Sequence, residues 1–197
     1  MACFCVCTKE MTENKKIIIG LVGESGSGKD TVADYLRDKH KAKLYRFADP
    51  LREALELYLD HISREDLQWL AVKFKERFGK GILAKGMRKK IEQNGSSLIV
   101  INGIRFSEDA EFVKSLPNGR VMYITLDNKS RWERIYNRGE KSDDAVSFEK
   151  FLEMEKALTE VQVPEIGKNA DFQLKNTGTK EELFAKVDEI LRGLQGG

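Results

Sequence analysis

The sequence predicts an α/β fold: a doubly wound, mostly parallel sheet flanked by helices. Three features carry that prediction. The runs Ile17–Val22, Leu98–Ile101 and Val121–Leu126 are predominantly apolar, as strands covered on both faces must be. Between them apolar residues recur at helical spacing, so strand and helix patterns alternate along the chain. The first apolar run leads into Gly23-Glu24-Ser25-Gly26-Ser27-Gly28-Lys29-Asp30-Thr31 and then into a helical pattern. A strand, a glycine-rich loop and a helix in that order can turn successive N–H groups inward as a nest for phosphate oxygens.

Each element follows from its residues. After the loop, Val32, Ala33, Tyr35 and Leu36 give the first helix its apolar face, and His40 ends it. Lys43–Phe47 reads as a short strand. Asp49-Pro50 reads as a helix start, with Asp49 as N-cap and Pro50 in the first position. Leu51, Ala54, Leu55, Tyr58 and Leu59 supply its stripe and His61 its end. Ser63 opens the next helix with Asp66 in a capping-box variant, and Gly79 and Gly81 break it. A third helix spans Ile82–Gln93. The strand Leu98–Ile101 precedes Asn102-Gly103-Ile104-Arg105 and a helix over Glu108–Leu116. Pro117-Asn118-Gly119 turns the chain into Val121–Leu126. Helices are expected over Lys129–Arg138 and Ser147–Val161, and a last strand over Asp171–Leu174. Thr179 caps the final helix, with Glu182 three residues on.

The 197 residues suffice for one domain with a substantial core, and 41% hydrophobic against 34% charged residues is the balance of a soluble globular protein. A net charge of +2 gives no field to recruit a polyanion, so nucleic acid is not an expected partner. No apolar run approaches the ~20 residues that cross a bilayer. The N-terminus lacks a basic segment followed by a long apolar stretch. A cytoplasmic protein without membrane contact is expected. Cys3, Cys5 and Cys7 have no histidine nearby to complete a metal site. Residues 1–14 therefore read as a disordered extension and residues 15–197 as a single domain, and a core free of cysteine fits a reducing compartment. His40 and His61 read as surface residues at helix C-termini.

Parallel sheets bind ligands at the carboxyl ends of their strands, where the glycine loop, Arg105 and Asp127 are expected to converge. Lys29 is placed to reach the β- and γ-phosphates of a nucleotide. Phosphoryl transfer asks for positioning and charge neutralisation, work for Lys29, Arg105, Arg131, Arg134 and Arg138. The last three follow at i, i+3 and i+7, on one helix face where like charges repel unless an anion lies among them. The alternative is a solvated basic face. Gly139–Asp144 reads as a short lid. Lys73–Lys90 holds eight Lys or Arg, one acid (Glu76), and the interleaved Phe74 and Phe78. It reads as a surface for a phosphorylated acceptor, as a nucleic-acid contact, or as solvated helices. Asn102 stands where a magnesium-organising carboxylate is expected. The acids left to take that role are Asp30, Asp49, Glu108, Asp109 and Asp127.

Gly23–Thr31 with Phe47-Ala48-Asp49-Pro50-Leu51 resembles the phage-type deoxynucleoside monophosphate kinases. Asn102-Gly103-Ile104-Arg105, Arg131-Trp132-Glu133-Arg134, Arg138-Gly139, Asp143-Asp144 and Ala170-Asp171 resemble a set of P-loop proteins labelled probable kinases, which are similar to dephospho-CoA kinases and adenylate kinases. The resemblance spans about residues 16–193. It implies an NMP-kinase-like P-loop fold with acceptor-binding helices over about 49–94 and a lid over about 131–149. It implies ATP with Mg2+ as donor and a small nucleotide-like molecule carrying phosphate as acceptor. Gly23, Ser25, Gly26, Ser27, Gly28, Lys29, Asp30, Thr31, Asn176 and Gly178 would hold ATP; Lys29, Arg105, Arg134 and Arg138 would act on the transferred phosphoryl group. Asp49, Arg52 and Arg105 would bind the acceptor. Thr31 is similar in place to the threonine of adenylate kinases, where magnesium is held through water, and Asn102 replaces the aspartate of the resembled family. Two other readings use the same residues: an ATP-sensing module without turnover, motivated by Asp30 and Asn102, and a nucleic-acid-linked ATPase using Lys73–Lys90.

Overall fold

The computed structural model describes residues 16–138, 146–157 and 160–196, the side chains of Arg64, Glu65 and Arg138 excepted. The expected extension over 1–14 with its three cysteines, and the expected lid stretch Gly139–Asp144, lie outside the described residues. The strands are β1 (Ile17–Val22), β2 (Lys43–Arg46), β3 (Leu98–Ile104), β4 (Gly119–Thr125) and β5 (Phe172–Lys175). They form one five-stranded sheet in the order β2-β3-β1-β4-β5, and every pairing is parallel. The helices are α1 (Lys29–His40), α2 (Asp49–Glu56), α3 (Arg64–Phe78), α4 (Ile82–Gln93), α5 (Ser107–Lys114), α6 (Asn128–Arg138), α7 (Phe148–Met154), α8 (Val163–Lys168) and α9 (Lys180–Gln195).

The unbroken apolar run of β1 is explained by its place in the middle of the sheet, with every residue buried. Alternate residues feed two cores. Ile18, Val22, Ile99, Ile101 and Val121 pack under Met87 and Ile91 of α4, Phe112 and Val113 of α5 and Ile166 of α8. Ile19, Leu21, Val100, Met122 and Ile124 pack under Val32 and Leu36 of α1 and Leu183, Val187 and Leu191 of α9. Burying a side chain of this size stabilises the fold by roughly 1.5–3 kcal/mol, so the two-sided core fixes the sheet that carries the loop. Ser63–Asp66 and Thr179–Glu182 both form reciprocal capping boxes, as expected. No described helix is long and apolar enough to cross a membrane.

Four expectations change. Asp49 does not cap α2: Ala48 holds the N-cap position, and the Asp49 carboxylate accepts from the Arg46 N–H at 2.7 Å, closing the turn out of β2. The helix stops at Glu56, short of His61, where Leu57 and Tyr58 beyond it are 78% and 83% exposed and supply no buried face to extend it. The helix expected over Ser147–Val161 ends at Met154. Pro164 then restarts the chain as α8, where its missing N–H costs nothing in the first turn. Finally, β3 runs through to Ile104. Its register against β1 slips between Leu21 and Val22, where Gly103 at φ +80° is the extra residue of a bulge. The bulge leaves Asn102 at the carboxyl edge of the sheet, one strand over from the glycine loop.

Candidate active site

β1 ends at Val22 and α1 begins at Lys29, so the residues between them form the loop at the carboxyl edge of the central strand. Gly28 is the N-cap of α1 at φ +98°, and a side chain there would strike the Asn176 amide. Gly26 is at φ +78°, and a β-carbon on it would lie 2.7 Å from the Arg131 carbonyl oxygen. Only bare backbone fits at both. No side chain caps α1, so its first N–H groups and the positive end of its dipole are left for an anion.

The loop is tied from behind. Arg131, expected among the phosphate charges, is 2% exposed and turned inward. It donates to the Leu126 carbonyl at 3.1 Å, the Ser25 carbonyl at 3.1 Å and Asn128 Oδ1 at 2.9 Å. It also pairs with both carboxylate oxygens of Glu155, at 2.6 and 2.5 Å. Burial presses its guanidinium down, and Glu155 outweighs this and holds it above its ordinary value. The three arginines of α6 therefore do not share one anion. A buried guanidinium surrounded by a carboxylate and carbonyls is already neutralised. Asn176 is likewise occupied: its Nδ2 donates to the Ser27 carbonyl at 2.8 Å, and its own carbonyl accepts from Arg134 at 3.0 Å. Beneath the loop, Tyr123 Oη donates to Glu24. Burial and that bond push the Tyr123 hydroxyl up to about 12. Glu24, Tyr123 and Glu155 were not singled out from the sequence; the acid inside a phosphate loop is the one trace that could have flagged the first.

Two cavities meet at the start of α1. One, of about 360 Å3, is lined by Glu24, Gly26, Gly28, Lys29, Asp30, Thr31, Arg134, Ile135, Asn176, Gly178, Lys180 and Leu183. The other, of about 490 Å3, carries Arg46, Lys75 and Arg105 among the apolar walls of Phe47, Leu51, Leu67, Ala71, Leu83 and Phe106. Lys29 and Asp30 line both. Burial lowers the Lys29 ammonium, Asp30 opposes that shift, and Arg105 adds to it; the net direction is down. Partial desolvation raises the Asp30 carboxyl, but Lys29 and the amide of Asn102 more than offset it, so the group stays below its ordinary value. Three buried side-chain oxygens among the described residues have no partner: Glu24 Oε2, Ser27 Oγ and Asn102 Oδ1. All three lie in or beside the loop.

The expected acceptor residues are placed unevenly. Arg105 lines the second cavity, paired with Glu160. Asp49 is committed to the Arg46 N–H, and neither it nor the exposed Arg52 lines either of these two cavities. Arg46 lines the second cavity instead, and Lys75 brings one charge of the basic Lys73–Lys90 segment into its wall. Three of the segment's other cations are engaged elsewhere: Lys73 with Glu76, Lys90 with Glu53, and Arg88 over the Phe112 ring. Asp127 caps α6 by accepting from the Ser130 N–H at 2.9 Å and lines neither cavity. The Arg138 side chain lies outside the described residues.

Asp109, on α5, lines the second cavity, and burial pushes its carboxyl up to about 6. The sign of the stability effect follows. An acid whose folded value lies above its unfolded value binds the proton more tightly when folded, so stability from this group is lost as pH rises from 3.8 to about 6. Asp109→Asn is expected to raise stability at neutral pH by about 2–3 kcal/mol and to leave it nearly unchanged below pH 4. Chemical denaturation of both proteins across that range checks it; equal gains at both ends would refute it.

A family model described as deoxynucleotide monophosphate kinase matches residues 16–84, from β1 to the start of α4. The UPF0200 protein of Sulfurisphaera tokodaii is 31% identical over 175 residues, covering 89% of this chain and 96% of that one. The UPF0200 protein of Pyrococcus horikoshii is 30% identical over 182 residues, with the same coverage. Among solved structures, the shikimate kinase of Bacteroides thetaiotaomicron superposes with a TM-score of 0.61 at 15% identity, covering 91% of this chain and 98% of that one. That likeness is one of fold.

Proposed function

Because the chain belongs to the UPF0200 family, within the P-loop NMP-kinase-like superfamily, we propose that it transfers the γ-phosphoryl group of ATP to a small nucleotide-like acceptor that carries its own phosphate. The observation that carries this reading is the shared lining: Lys29 and Asp30 belong at once to the loop cavity and to the cation-bearing cavity beside it. A donor phosphate in the first and an acceptor in the second would meet at Lys29.

The chain's residues divide the work. The loop amides and the start of α1 bind the donor phosphates. Lys29, held buried with Asp30 as its one ion-pair partner among the described residues, gains from an added negative charge, and so favours the charge that spreads over the transferring group. Arg46, Lys75 and Arg105 hold the acceptor's phosphate, and the apolar walls hold its uncharged part. A phosphate oxygen needs no strong base to act as acceptor. The oxygen-only donor set at the junction, with Asn102 Oδ1 buried and unpartnered, fits a hydrated Mg2+, which when bound supplies further charge neutralisation between the phosphates.

Single-turnover assays with γ-labelled ATP against nucleoside monophosphates, dephospho-CoA and related small phosphates test the reading. Labelled product from one class supports it, and ATP binding without product from any refutes it in favour of a sensor. Arg105→Ala is expected to weaken acceptor binding about 10- to 100-fold, as loss of a charge-assisted bond does, with little change for ATP. Calorimetric titration of each ligand checks this; equal losses would show that the role is wrong.

A further inference from the structure

We propose that Asp30, positioned by Asn102, is the acid that anchors the water shell of the divalent cation accompanying the nucleotide, so that the carboxylate missing from the end of β3 is supplied from the start of α1. The inference rests on the nucleotide-binding reading of the same cavity and names the residues that reading leaves open. Strand and helix exchange roles here. The place after the loop lysine holds an aspartate, and the strand end holds an amide. The structure joins the two: Asn102 Nδ2 donates to Asp30 Oδ1 at 2.8 Å across 72 residues of sequence. Lys29 Nζ approaches the other oxygen, Oδ2, at 3.3 Å.

This bond has a direction that matters. An amide that donates through nitrogen presents its oxygen elsewhere, and Asn102 Oδ1 is left with no partner although the residue is only 6% exposed. A buried carbonyl oxygen without a donor costs free energy unless water or an ion meets it. The bulge at Gly103 fixes Asn102 at this point, so the oxygen cannot swing to solvent without loss of the Asp30 bond. The pair therefore offers a carboxylate open to the cleft and an inner amide oxygen. These are hard oxygen donors of the kind a hydrated Mg2+ takes, with few protein ligands and several retained waters. Among the described residues no cluster of three or more acids, histidines or cysteines offers another place for such an ion. Of the other acids named for this role, Asp49 and Asp127 are spent on the backbone N–H groups of Arg46 and Ser130, and Glu108 is paired with Lys75.

The test separates the metal from the nucleotide. ADP is titrated calorimetrically into wild type and Asp30→Asn, each in EDTA and in excess MgCl2, with water-proton relaxation of Mn2+ plus ADP as a direct reading of the cation. Wild type is expected to bind ADP more tightly with Mg2+. In Asp30→Asn that tightening should fall by about 10-fold or more, the loss typical when a group that orients a metal's ligands is removed. ADP in EDTA should bind the variant as well as wild type or better, because a negative charge beside the phosphates has gone. A merely structural role for Asp30 would weaken both titrations together. The exchange variant Asp30→Asn with Asn102→Asp returns a carboxylate to the strand end and should recover most of the Mg2+ tightening and the Mn2+ relaxation signal. An unchanged Mg2+ response in Asp30→Asn overturns the inference and leaves the nucleotide reading standing. Failure of wild type to bind ADP in either condition removes both.

Discussion

Lys29→Ala is expected to reduce phosphoryl transfer by 10²- to 10³-fold or more while raising the melting temperature. The first effect follows from position. Lys29 is the cation that borders both cavities from within the loop, and removing one preorganised charge or donor from a transferring group costs about that factor. The second follows from what the ammonium faces without ligand. It is 9% exposed, and among the described residues the only carboxylate paired with it is that of Asp30, at 3.3 Å. Its burial cost is therefore poorly offset, and the folded protein holds its proton less tightly than the unfolded chain. Stability from this group is thus depressed at neutral pH and recovers as pH climbs toward 10.5. The variant should lack that recovery. Single-turnover assays and thermal melts at pH 7 and pH 10 measure both effects. An active Lys29→Ala protein would remove the central assignment, and an inactive one with a lowered melting temperature would mean that the lysine supports the fold instead.

The largest loss of stability is expected from Arg131→Met. That change leaves Glu155 without its partner and frees the Ser25, Leu126 and Asn128 oxygens at one stroke. Breaking a buried pair from one side costs about 3–5 kcal/mol, which for a domain of this size lowers the melting point by roughly 10 °C. Nucleotide binding should weaken as well, because the loop loses its tie at Ser25. The double variant Arg131→Met with Glu155→Leu is expected to regain much of the stability, since no lone charge remains, but not the nucleotide affinity, since the loop stays untied. A double-mutant cycle followed by melts and ADP titration separates the two effects. Equal recovery of both would show that Arg131 acts on the loop only through general stability.

The sheet was legible from the sequence because burial on both faces leaves a mark that needs no knowledge of neighbours: Ile17–Val22 and Val121–Leu126 are apolar for that reason alone. The loop was legible because its chemistry is contiguous, nine residues long and flanked by the elements that make it work. The rest of the site is made by contacts distant in sequence, and composition carries no trace of those. Arg131 and Arg134 are three residues apart on one helix, yet one is buried against Glu155 and the other reaches Asn176. Spacing grouped them as phosphate ligands; the surface packed against α6 turned Arg131 inward and left Arg134 on the wall of the loop cavity. Asp49 was read as a cap because it precedes a proline, and it instead closes a turn. Arg46 passed unnoticed, and Lys75 was offered only as one charge of the Lys73–Lys90 surface, because each sits in an ordinary basic stretch and only the packing of α3 near the ends of β2 and β3 brings them into one cavity.

The backward ties of the loop also bear on kinetics. With Ser25 fixed by Arg131, Ser27 by Asn176 and Glu24 by Tyr123 before any ligand arrives, the loop itself does not have to become ordered for a phosphate group to settle there. Association should then proceed in a single phase at a rate set by encounter and orientation, and discrimination among nucleotides should reside in how long each one stays.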